Sequence, residues 1–409
     1  MNMNDNLATI VSDGDRLALE RFFACRPSWT GMARAGDVVD LPERTILHAG
    51  PPFDDPETVC TPIANSVAAA AMFEGWAGSL DEARTMVRSG AIRIEPAQDR
   101  NCVVPLASAL SPSMAVHVVT DPARPGIACH APVNGGNGPA LRLGLSDPAV
   151  VEHLRWLNGP FADALAASTI LPVDLIAVAD RALVDGDDCH GRTIAATNAL
   201  RQRLFPDSDD DDSATFQRFM ANGPGFFLNL WMASVKCMLS AADGVMESSF
   251  VTAAGSNGLT TGIKLAGGNG AWITAPATVP VGDCPDGISP ADALPAIGDS
   301  AIVDVAGMGA MAMHLAPAQL EAMGHLMPES SDRIGQRIFA GTHPGFTNSG
   351  LRSGLLAGVV AQQERAPSIS LGVLDRHGSR GRIYGGIFTP PVSLFRRAAA
   401  EIPTTRVSP

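Results

Sequence analysis

Runs of apolar and polar positions change in character twice along the chain and predict three segments. In residues 1–145, apolar runs of strand length alternate with longer runs of helical length, which predicts a mixed α/β domain. In residues 146–245, helical patterns recur without a convincing strand, which predicts a small helical domain. Strand-length runs return in residues 246–409 and predict a C-terminal α+β domain. The expected fold class is therefore α+β (mixed α/β), with two α/β domains and a small all-helical domain between them.

The same pattern predicts individual elements. Helices are predicted over 15–24, 62–76, 149–158, 173–184, 191–204, 213–221, 226–242 and 310–325, with further helices starting near Ser79 and Pro391. Strands are predicted within 44–52 and over 91–95, 115–120, 249–254, 261–265, 272–275, 300–305, 369–374 and 383–388. Residues 267–270 predict a turn, and the acidic run 207–212 predicts a solvated loop.

Composition narrows the class of protein. Of the 409 residues, 46% are hydrophobic and 17% are charged, which excludes a disordered chain. The longest apolar runs, such as residues 67–73, fall far short of the roughly 18 residues of a membrane span. The N-terminus lacks the basic start and apolar core of a signal peptide, so we expect a cytoplasmic protein that does not enter a membrane. The low charge and many small residues favour an oligomer or a complex.

Charge and cysteine spacing exclude several kinds of site. A net charge of −13 argues against nucleic-acid binding, because phosphate contacts need a basic face. No two of the seven cysteines lie within CxxC distance, so no metal site and no disulfide framework is predicted. The chain has no Gly-Lys-Ser/Thr phosphate loop. Residues 307–312 match GxGxxA, but close strand–helix packing also explains these small residues, and no cofactor is predicted.

The densest group of reactive side chains lies in Gly186-Asp-Asp-Cys-His-Gly-Arg192, between two predicted helices. His190 can exchange a proton near neutral pH, and a carboxylate such as Asp188 would orient it. Arg192 offers two parallel donors to a carboxylate or phosphate. The alternative is a polar loop that caps a helix. A Cys189–His190 nucleophile pair is a further alternative, although adjacent residues rarely face each other.

Lysine is rare and points to further candidates. The only lysines are Lys236 and Lys264, in a chain that otherwise uses arginine. Asn229 lies within an apolar helical run, and Lys236 follows that run. A polar side chain there needs a hydrogen-bond partner or a binding site to point into. Polar loops add five more candidates, each of which also fits an ordinary turn: His48, Asn134, Asn257, Asp299 and Ser300. Ser300 lacks a Gly-x-Ser-x-Gly elbow, which excludes an α/β-hydrolase.

Several stretches in a fixed order resemble the YlbE-like family, which includes YlbE, AllG and YahG. They are RTILHAGPP at 44–52, FEGWA at 73–77, SPSM at 111–114, LRWLN at 154–158, GDDCHGRTIAAT at 186–197, FFLNLWMASVK at 226–236, NG and GIKLAG within 257–267, TAP at 274–276 and GDSAI at 298–302. The order and spacing of these stretches make the resemblance specific. They extend over almost the whole chain.

The resemblance implies a subunit of oxamate carbamoyltransferase, acting with FdrA-like and AllH-like subunits in allantoin breakdown. The implied reaction is the reversible phosphorolysis of oxalurate to oxamate and carbamoyl phosphate, by a mixed α+β protein with a helical domain. For that chemistry, Asp188 and His190 are expected to manage the proton, and Lys236 and Lys264 to supply positive charge. The remaining candidates are expected to bind or orient the substrate: His48, Asn134, Arg192, Asn229, Asn257, Asp299 and Ser300.

The chain also departs from the family pattern, and alternatives remain open. Residues 98–107 and 351–358 differ from the family, and Asp304 stands where relatives carry glutamate. One alternative is a non-catalytic assembly subunit of such a complex. Another is a paralogue that acts on a different carbamoyl or amide substrate, including an amidohydrolase.

Overall fold

Short helices and small sheets alternate along the chain in the computed structural model, which describes residues 11–206 and 211–402. The helices are α1 (Asp13–Ala24), α2 (Ala35–Val38), α3 (Thr61–Phe73), α4 (Leu80–Arg88), α5 (Ala149–Trp156), α6 (Ala162–Ala166), α7 (Leu175–Val184), α8 (Ile194–Leu204), α9 (Asp211–Asn222), α10 (Phe226–Ser240), α11 (Ala301–Val305), α12 (Pro317–Met323), α13 (Ser331–Ile338), α14 (Ala357–Gln363) and α15 (Val392–Ala400). The strands are β1 (Ser28–Arg34), β2 (Thr45–His48), β3 (Arg93–Pro96), β4 (Ala109–Leu110), β5 (Ala115–Thr120), β6 (Ala128–Pro132), β7 (Val173–Asp174), β8 (Val251–Asn257), β9 (Thr260–Leu265), β10 (Ile273–Pro276), β11 (Ile297–Gly298), β12 (Phe339–Thr342), β13 (Arg352–Leu355), β14 (Ile369–Leu374) and β15 (Arg382–Phe388).

The strands form several small sheets rather than one large one. Two sheets have four strands, in the orders β6-β5-β1-β7 and β10-β9-β8-β11, and both are antiparallel. A three-stranded sheet, β3-β2-β4, contains the parallel pair β2–β3, which α3 and α4 connect. Two hairpin-like pairs, β12–β13 and β14–β15, complete the sheets. Helices and mainly antiparallel sheets together confirm the predicted α+β class.

Helix α10 is the central element of the core. All its residues except Leu228 and Ser240 are buried, including Asn229 and Lys236. A helix that is apolar on every side must be surrounded by other elements, and α10 contacts β5, β6, β8 and α11 among others. Because α10 crosses the interior, its first turn and its last turns reach two different cavities, which are described below.

The largest hydrophobic cluster draws side chains from all three predicted segments. Phe22 and Phe250 pack with their ring centroids 5.2 Å apart, and Trp231 contacts Phe346 with centroids 6.0 Å apart. The division into domains at residues 145 and 245 stays a prediction. No helix among the described residues is long and apolar enough to cross a lipid bilayer.

Most predicted elements are confirmed, and the exceptions have physical reasons. Residues 300–305 form a helical turn, α11, rather than a strand. The error arose because every residue of α11 is buried, so that the sequence carries no helical alternation of apolar and polar positions. The predicted helix 310–325 is broken, with a 3₁₀ segment at Gly309–Leu315, because Pro317 can only begin a new helix.

Other differences concern strands and one loop. The sequence analysis did not predict β1, β6, β12 or β13, and β7 lies in the segment expected to be all-helical. β7 is only two residues long and pairs with the end of β1, so it left no periodicity to detect. Part of the acidic run, residues 207–210, lies outside the described residues. Asp211 and Asp212 form the first turn of α9 rather than a loop.

Asp15 joins α1 to the segment that precedes β8, and its loss is expected to destabilise the fold. Its Oδ1 accepts hydrogen bonds from Ser249 N (2.7 Å) and from the hydroxyls of Ser248 (3.1 Å) and Ser249 (3.2 Å). Asp15→Ala would leave these buried donors without an acceptor, so we expect the free energy of unfolding to fall by about 3 kcal/mol. Urea unfolding measures this change. The matched control is Asp13→Ala on the same helix, because Asp13 is exposed and forms a surface ion pair with Arg16. An equal loss in both variants would contradict the assigned role.

Candidate active site

A cleft of about 200 Å³, open to solvent, lies where the first turn of α10 meets β14 and β15. Eight separate parts of the chain line it. Its polar lining consists of Asn134, Asn137, Arg142, His190, Ser300, Gln319, Ser370 and Arg382. Three of the residues predicted from the sequence, His190, Asn134 and Ser300, therefore lie in one cavity.

The loop between α7 and α8 holds His190 against this cleft. Asp188 Oδ1 accepts hydrogen bonds from the backbone N–H groups of His190 and Arg192, each at 2.8 Å. This Asx turn folds the loop back on itself just before α8 begins. The Asp188 carbonyl also accepts from Gly309 N at 2.7 Å, which ties the loop to the segment after α11. These bonds hold the loop, and with it His190, just before the start of α8.

His190 forms a buried pair with Asp304. Its Nδ1 lies 2.6 Å from Asp304 Oδ2, and the other oxygen of Asp304 accepts from Ala310 N (2.8 Å) and Ser370 N (3.1 Å). A carboxylate in this position fixes the proton on Nδ1 and leaves Nε2 to exchange protons. Burial alone lowers the pKa of His190, but the charge and hydrogen bond of Asp304 outweigh it and raise the pKa.

Gly309 makes room for this pair. Its φ of +58° lies in the left-handed region, and a Cβ at this position would lie 2.9 Å from His190 Cβ and closer still to Asp304. Only glycine adopts this conformation so near the pair without strain. The small residues at 307–312 therefore pack against the His190–Asp304 pair. They follow a helix, so the strand that a dinucleotide-binding motif requires is missing.

Two arginines give the cleft positive charge. Arg142 donates from one terminal nitrogen to Gly136 O at 2.7 Å, while its Nε is buried and has no partner among the residues that the structure describes. Burial, with a smaller contribution from the charge of Arg382, lowers the pKa of Arg142 to about 10. Within residues 11–206 and 211–402, neither arginine forms an ion pair with a carboxylate. Two cations without counter-ions favour a bound carboxylate or phosphate.

Asparagine side chains and a helix start complete the wall. Asn134 Nδ2 donates to Asn229 Oδ1 at 2.9 Å, and Asn229 Nδ2 donates to Pro132 O at 2.7 Å. Asn229 therefore lies behind Asn134 and positions it. The first turn of α10, capped by Gly225, borders the cleft and adds the partial positive charge of a helix N-terminus. The arrangement can bind an anion beside a group that exchanges protons.

Comparisons with known proteins agree with one another. The family model "Oxamate carbamoyltransferase subunit AllG" matches residues 92–300, about half of the chain. The chain belongs to this family. It is 32% identical to uncharacterized protein YahG of Escherichia coli (strain K12), across 96% of this chain and 86% of YahG. It is 29% identical to oxamate carbamoyltransferase subunit AllG of the same organism, across 95% of this chain and 97% of that subunit.

A solved structure has the same fold as this AllG-family chain. It is a conserved protein of unknown function from Enterococcus faecalis V583, with a TM-score of 0.90 and 30% sequence identity. The likeness covers 97% of this chain and 99% of the other. The resemblance drawn from the sequence motifs is thus confirmed over nearly the full length.

Some predicted site residues lie outside the cleft of this AllG-family chain. Lys236 and Lys264 line a second cavity, whose lining shares no residue with the cleft. Arg192 is partly exposed, with its Nε 3.7 Å from Asp187 Oδ1. Asp188 lies behind His190 in the loop, and its Oδ2 is buried without a partner. The structure therefore does not bring the two lysines to His190.

Three other predicted residues hold loops together. Asp299 accepts from Gly50 N (2.9 Å), Gln98 Nε2 (2.7 Å) and Val104 N (3.1 Å), and burial raises its pKa to about 7. Asn257 and His48 also form hydrogen bonds with backbone groups. Asn257 Oδ1 accepts from the N–H groups of residues 259 and 260, at 3.0 and 2.8 Å. His48 is fully buried with Nδ1 2.9 Å from Ala49 O, and burial lowers its pKa to about 4. The local contacts of Asn257 and His48 fit the alternative of an ordered turn, whereas Asp299 joins segments that are distant in the sequence.

The sequence analysis missed Arg142, Arg382 and Asp304 as site residues. The two arginines lie 240 positions apart in short segments of ordinary composition, so no local signal links them. Asp304 stood in an apolar run that predicted a strand. The only signal was the family pattern, in which relatives carry a glutamate at this position.

Cys189 does not serve as a nucleophile in this arrangement. Its Sγ is buried 3.7 Å from Ala179 O, and burial raises the pKa of the thiol well above its usual value. The His190 ring pairs with Asp304 instead. This geometry disfavours the Cys189–His190 amidohydrolase.

The buried acids of the loop make stability depend on pH. Burial raises the pKa of Asp188 to about 6, so the folded chain holds this proton more tightly than the unfolded chain does. Stability from such a group is greatest at low pH and falls as the pH rises from about 4 to 6. In Asp188→Asn the amide oxygen still accepts from both N–H groups, but the side chain no longer titrates. Between pH 5 and pH 8 we therefore expect the free energy of unfolding to fall by about 1 kcal/mol less in this variant than in the parent chain. Urea unfolding at both pH values measures this, and identical slopes would contradict it.

Proposed function

We propose that this chain is a catalytic subunit of an oxamate carbamoyltransferase-like enzyme. The reaction is the reversible conversion of oxalurate and phosphate to oxamate and carbamoyl phosphate, in the breakdown of allantoin. The observation that carries the proposal is the cleft in which the His190–Asp304 pair lies with Arg142 and Arg382. Membership of the AllG family supports it, because the AllG relative is named as a subunit of that enzyme.

The chemistry requires an anion site and a group that exchanges a proton. In the direction of transfer to oxamate, the amide nitrogen attacks the carbamoyl carbon, and the bond between that carbon and the phosphate oxygen breaks. The proton leaves the nitrogen for Nε2 of His190, while the electron pair of the broken bond leaves with phosphate. Arg142 and Arg382 bind the phosphate or the carboxylate, and their charge stabilises the electron density that moves onto oxygen. Ser300 and Asn134 are placed to orient the carbamoyl group.

FdrA-like and AllH-like subunits are the proposed partners. The name of the AllG relative describes one subunit of a larger enzyme, which supports an assembly of this kind. A paralogue that uses another carbamoyl or amide substrate is the second candidate. It is favoured because Pro105 and Leu106, which line the cleft, belong to the segment 98–107 that departs from the family pattern.

Phosphorolysis of oxalurate tests the proposal. The chain is purified together with its FdrA-like and AllH-like subunits and incubated with oxalurate, with and without phosphate, while ³¹P NMR follows the phosphorus. We expect carbamoyl phosphate to accumulate only when oxalurate and phosphate are both present. An intact complex that forms none would overturn the assigned substrate, and phosphate-dependent cleavage of another carbamoyl compound would support the second candidate.

A further inference from the structure

The second cavity, here called the lysine chamber, has a volume of about 330 Å³. The last turns of α10, strands β8 and β9 and the turn at residues 267–270 enclose it. Lys236, Lys264, Gln98 and Asp99 line it. Because its lining is separate from that of the cleft, its ligand need not be the ligand of the cleft.

Lys236 is a buried cation with unused hydrogen-bonding capacity. Its side chain is 2% exposed, and its Nζ donates to Thr252 O at 3.2 Å. In the described part of the chain it forms no ion pair, although Asp299 lies close enough for the two charges to interact and itself accepts from two backbone N–H groups and from Gln98. An ammonium carries three N–H donors, so two of them need acceptors from inside the chamber. Burial of unpaired donors is costly unless a ligand or water accepts from them.

Gln98, in contrast to Lys236, has a buried acceptor that lacks a donor. Its Nε2 donates to Ala254 O at 2.9 Å and to Asp299 Oδ1 at 2.7 Å. Since both partners are acceptors, the amide cannot be turned round without losing both bonds. The Oε1 atom of Gln98 is consequently buried and has no donor among the residues the structure describes. It needs an N–H or O–H group.

Strand β8 places these two groups close together. Lys236 and Gln98 bind the carbonyls of Thr252 and Ala254, which are two residues apart on β8 next to its irregularity at residues 251–253, and both side chains line the chamber. Residues two apart on a strand lie about 7 Å from each other. The spare donors of Lys236 and the spare acceptor of Gln98 therefore lie within the span of one small molecule.

The other charges of the chamber are balanced or at its rim. Lys264 forms an ion pair with Asp99, and its Nζ lies 5.3 Å from the centroid of the Trp272 ring. Asp243 is exposed at the rim. Among the described residues, the inner end thus offers the spare N–H donors of Lys236 and the unpartnered acceptor Oε1 of Gln98.

We propose that the lysine chamber binds a small molecule through a primary amide or carbamoyl group. The carbonyl oxygen of that group accepts from Lys236, and its NH₂ donates to Oε1 of Gln98. A carboxylate or fully ionised phosphate fits less well, because it has only acceptors and would place one of them against Oε1. The site is independent of the function proposed for the cleft, since its residues are different.

Two probes of matched size test the inference. Oxamate carries an amide and a carboxylate, whereas oxalate carries two carboxylates and no N–H. Calorimetric titration uses the Arg142→Gln/Arg382→Gln protein, in which the anion site of the cleft is removed. We expect oxamate to bind at one site per chain and oxalate to bind at least tenfold more weakly. Adding Lys236→Met should weaken oxamate binding at least tenfold, while Asp243→Asn at the rim should change it less than twofold.

The outcomes separate the two sites. Oxamate that binds the parent chain but not the double arginine variant belongs to the cleft, which overturns the inference and leaves the proposed function standing. Equal or tighter binding of oxalate, or undiminished binding in Lys236→Met, also overturns it. Thermal unfolding of each variant checks the fold. If Lys236→Met fails to fold, the comparison of oxamate with oxalate binding in the double arginine variant still tests the proposed site.

Discussion

Replacing His190 with asparagine is expected to lower kcat/KM for carbamoyl transfer by about 10²- to 10⁴-fold, the usual contribution of a positioned acid or base. Asparagine retains a polar group of similar size but cannot take up a proton. Because Asp304 raises the pKa of His190 above the ordinary value for histidine, the parent enzyme should gain activity toward oxamate as the pH rises through that higher pKa and the ring loses its second proton. The activity of His190→Asn should not increase with pH in this way. Initial rates of phosphate release across pH 5.5 to 9 measure both effects.

Two further variants separate catalysis from stability. His325→Asn is the matched control, because His325 is exposed and pairs with Asp283 on the surface, and its rate should stay within twofold of the parent. Asp304→Asn acts through His190 and should shift the rise in activity to lower pH, because the imidazolium loses its carboxylate partner. Full activity of His190→Asn in an intact complex would remove His190 from the mechanism.

Removing both arginines of the cleft is expected to have the second large effect. A charge-assisted hydrogen bond contributes about 1.5–3 kcal/mol, so Arg142→Gln/Arg382→Gln should lower kcat/KM by at least about 10²-fold. Arg382, at the exposed rim of the cleft, should act mainly on the KM of the anionic substrate. Steady-state kinetics with carbamoyl phosphate and oxamate varied in turn would show which anion each arginine binds.

The control for the arginines is Arg181→Gln. Arg181 is exposed on α7 and forms its ion pair with Asp185, away from the cleft. Arg181→Gln removes one positive charge and the double variant removes two, so a long-range effect of net charge would appear in both proteins. Equal kinetics for the double variant and the parent would show that the two arginines do not bind the substrate.

The sequence predicted elements best where the length of the apolar run distinguished a strand from a helix. Strands Ala115–Thr120 and Ile369–Leu374 have the predicted bounds, and α10 begins at the predicted residue. Residues 300–305 failed because complete burial removes the alternation that distinguishes a helix from a strand. Propensity alone could not recover this difference, since packing around a short buried turn decides its conformation.

In the site, the sequence indicated the residues that are adjacent in the chain, but not those that come together only in the folded structure. Residues 186–192 were found because reactive side chains follow one another there. Arg142 and Arg382 lie 240 positions apart in the chain, and only the tertiary structure places them in one cleft. Lys236 was recognised as unusual on an apolar helix, but its distance along α10 from the first turn takes it to a different cavity.

The central claim is that this cleft transfers a carbamoyl group between phosphate and oxamate. The most direct measurement is oxamate-dependent release of phosphate from carbamoyl phosphate by the complex with FdrA-like and AllH-like subunits, made with the parent chain and with His190→Asn. We predict rapid release that requires oxamate with the parent chain, and a loss of at least 10²-fold with the variant. Release that does not depend on oxamate, or that the variant sustains at the parent rate, would contradict the claim.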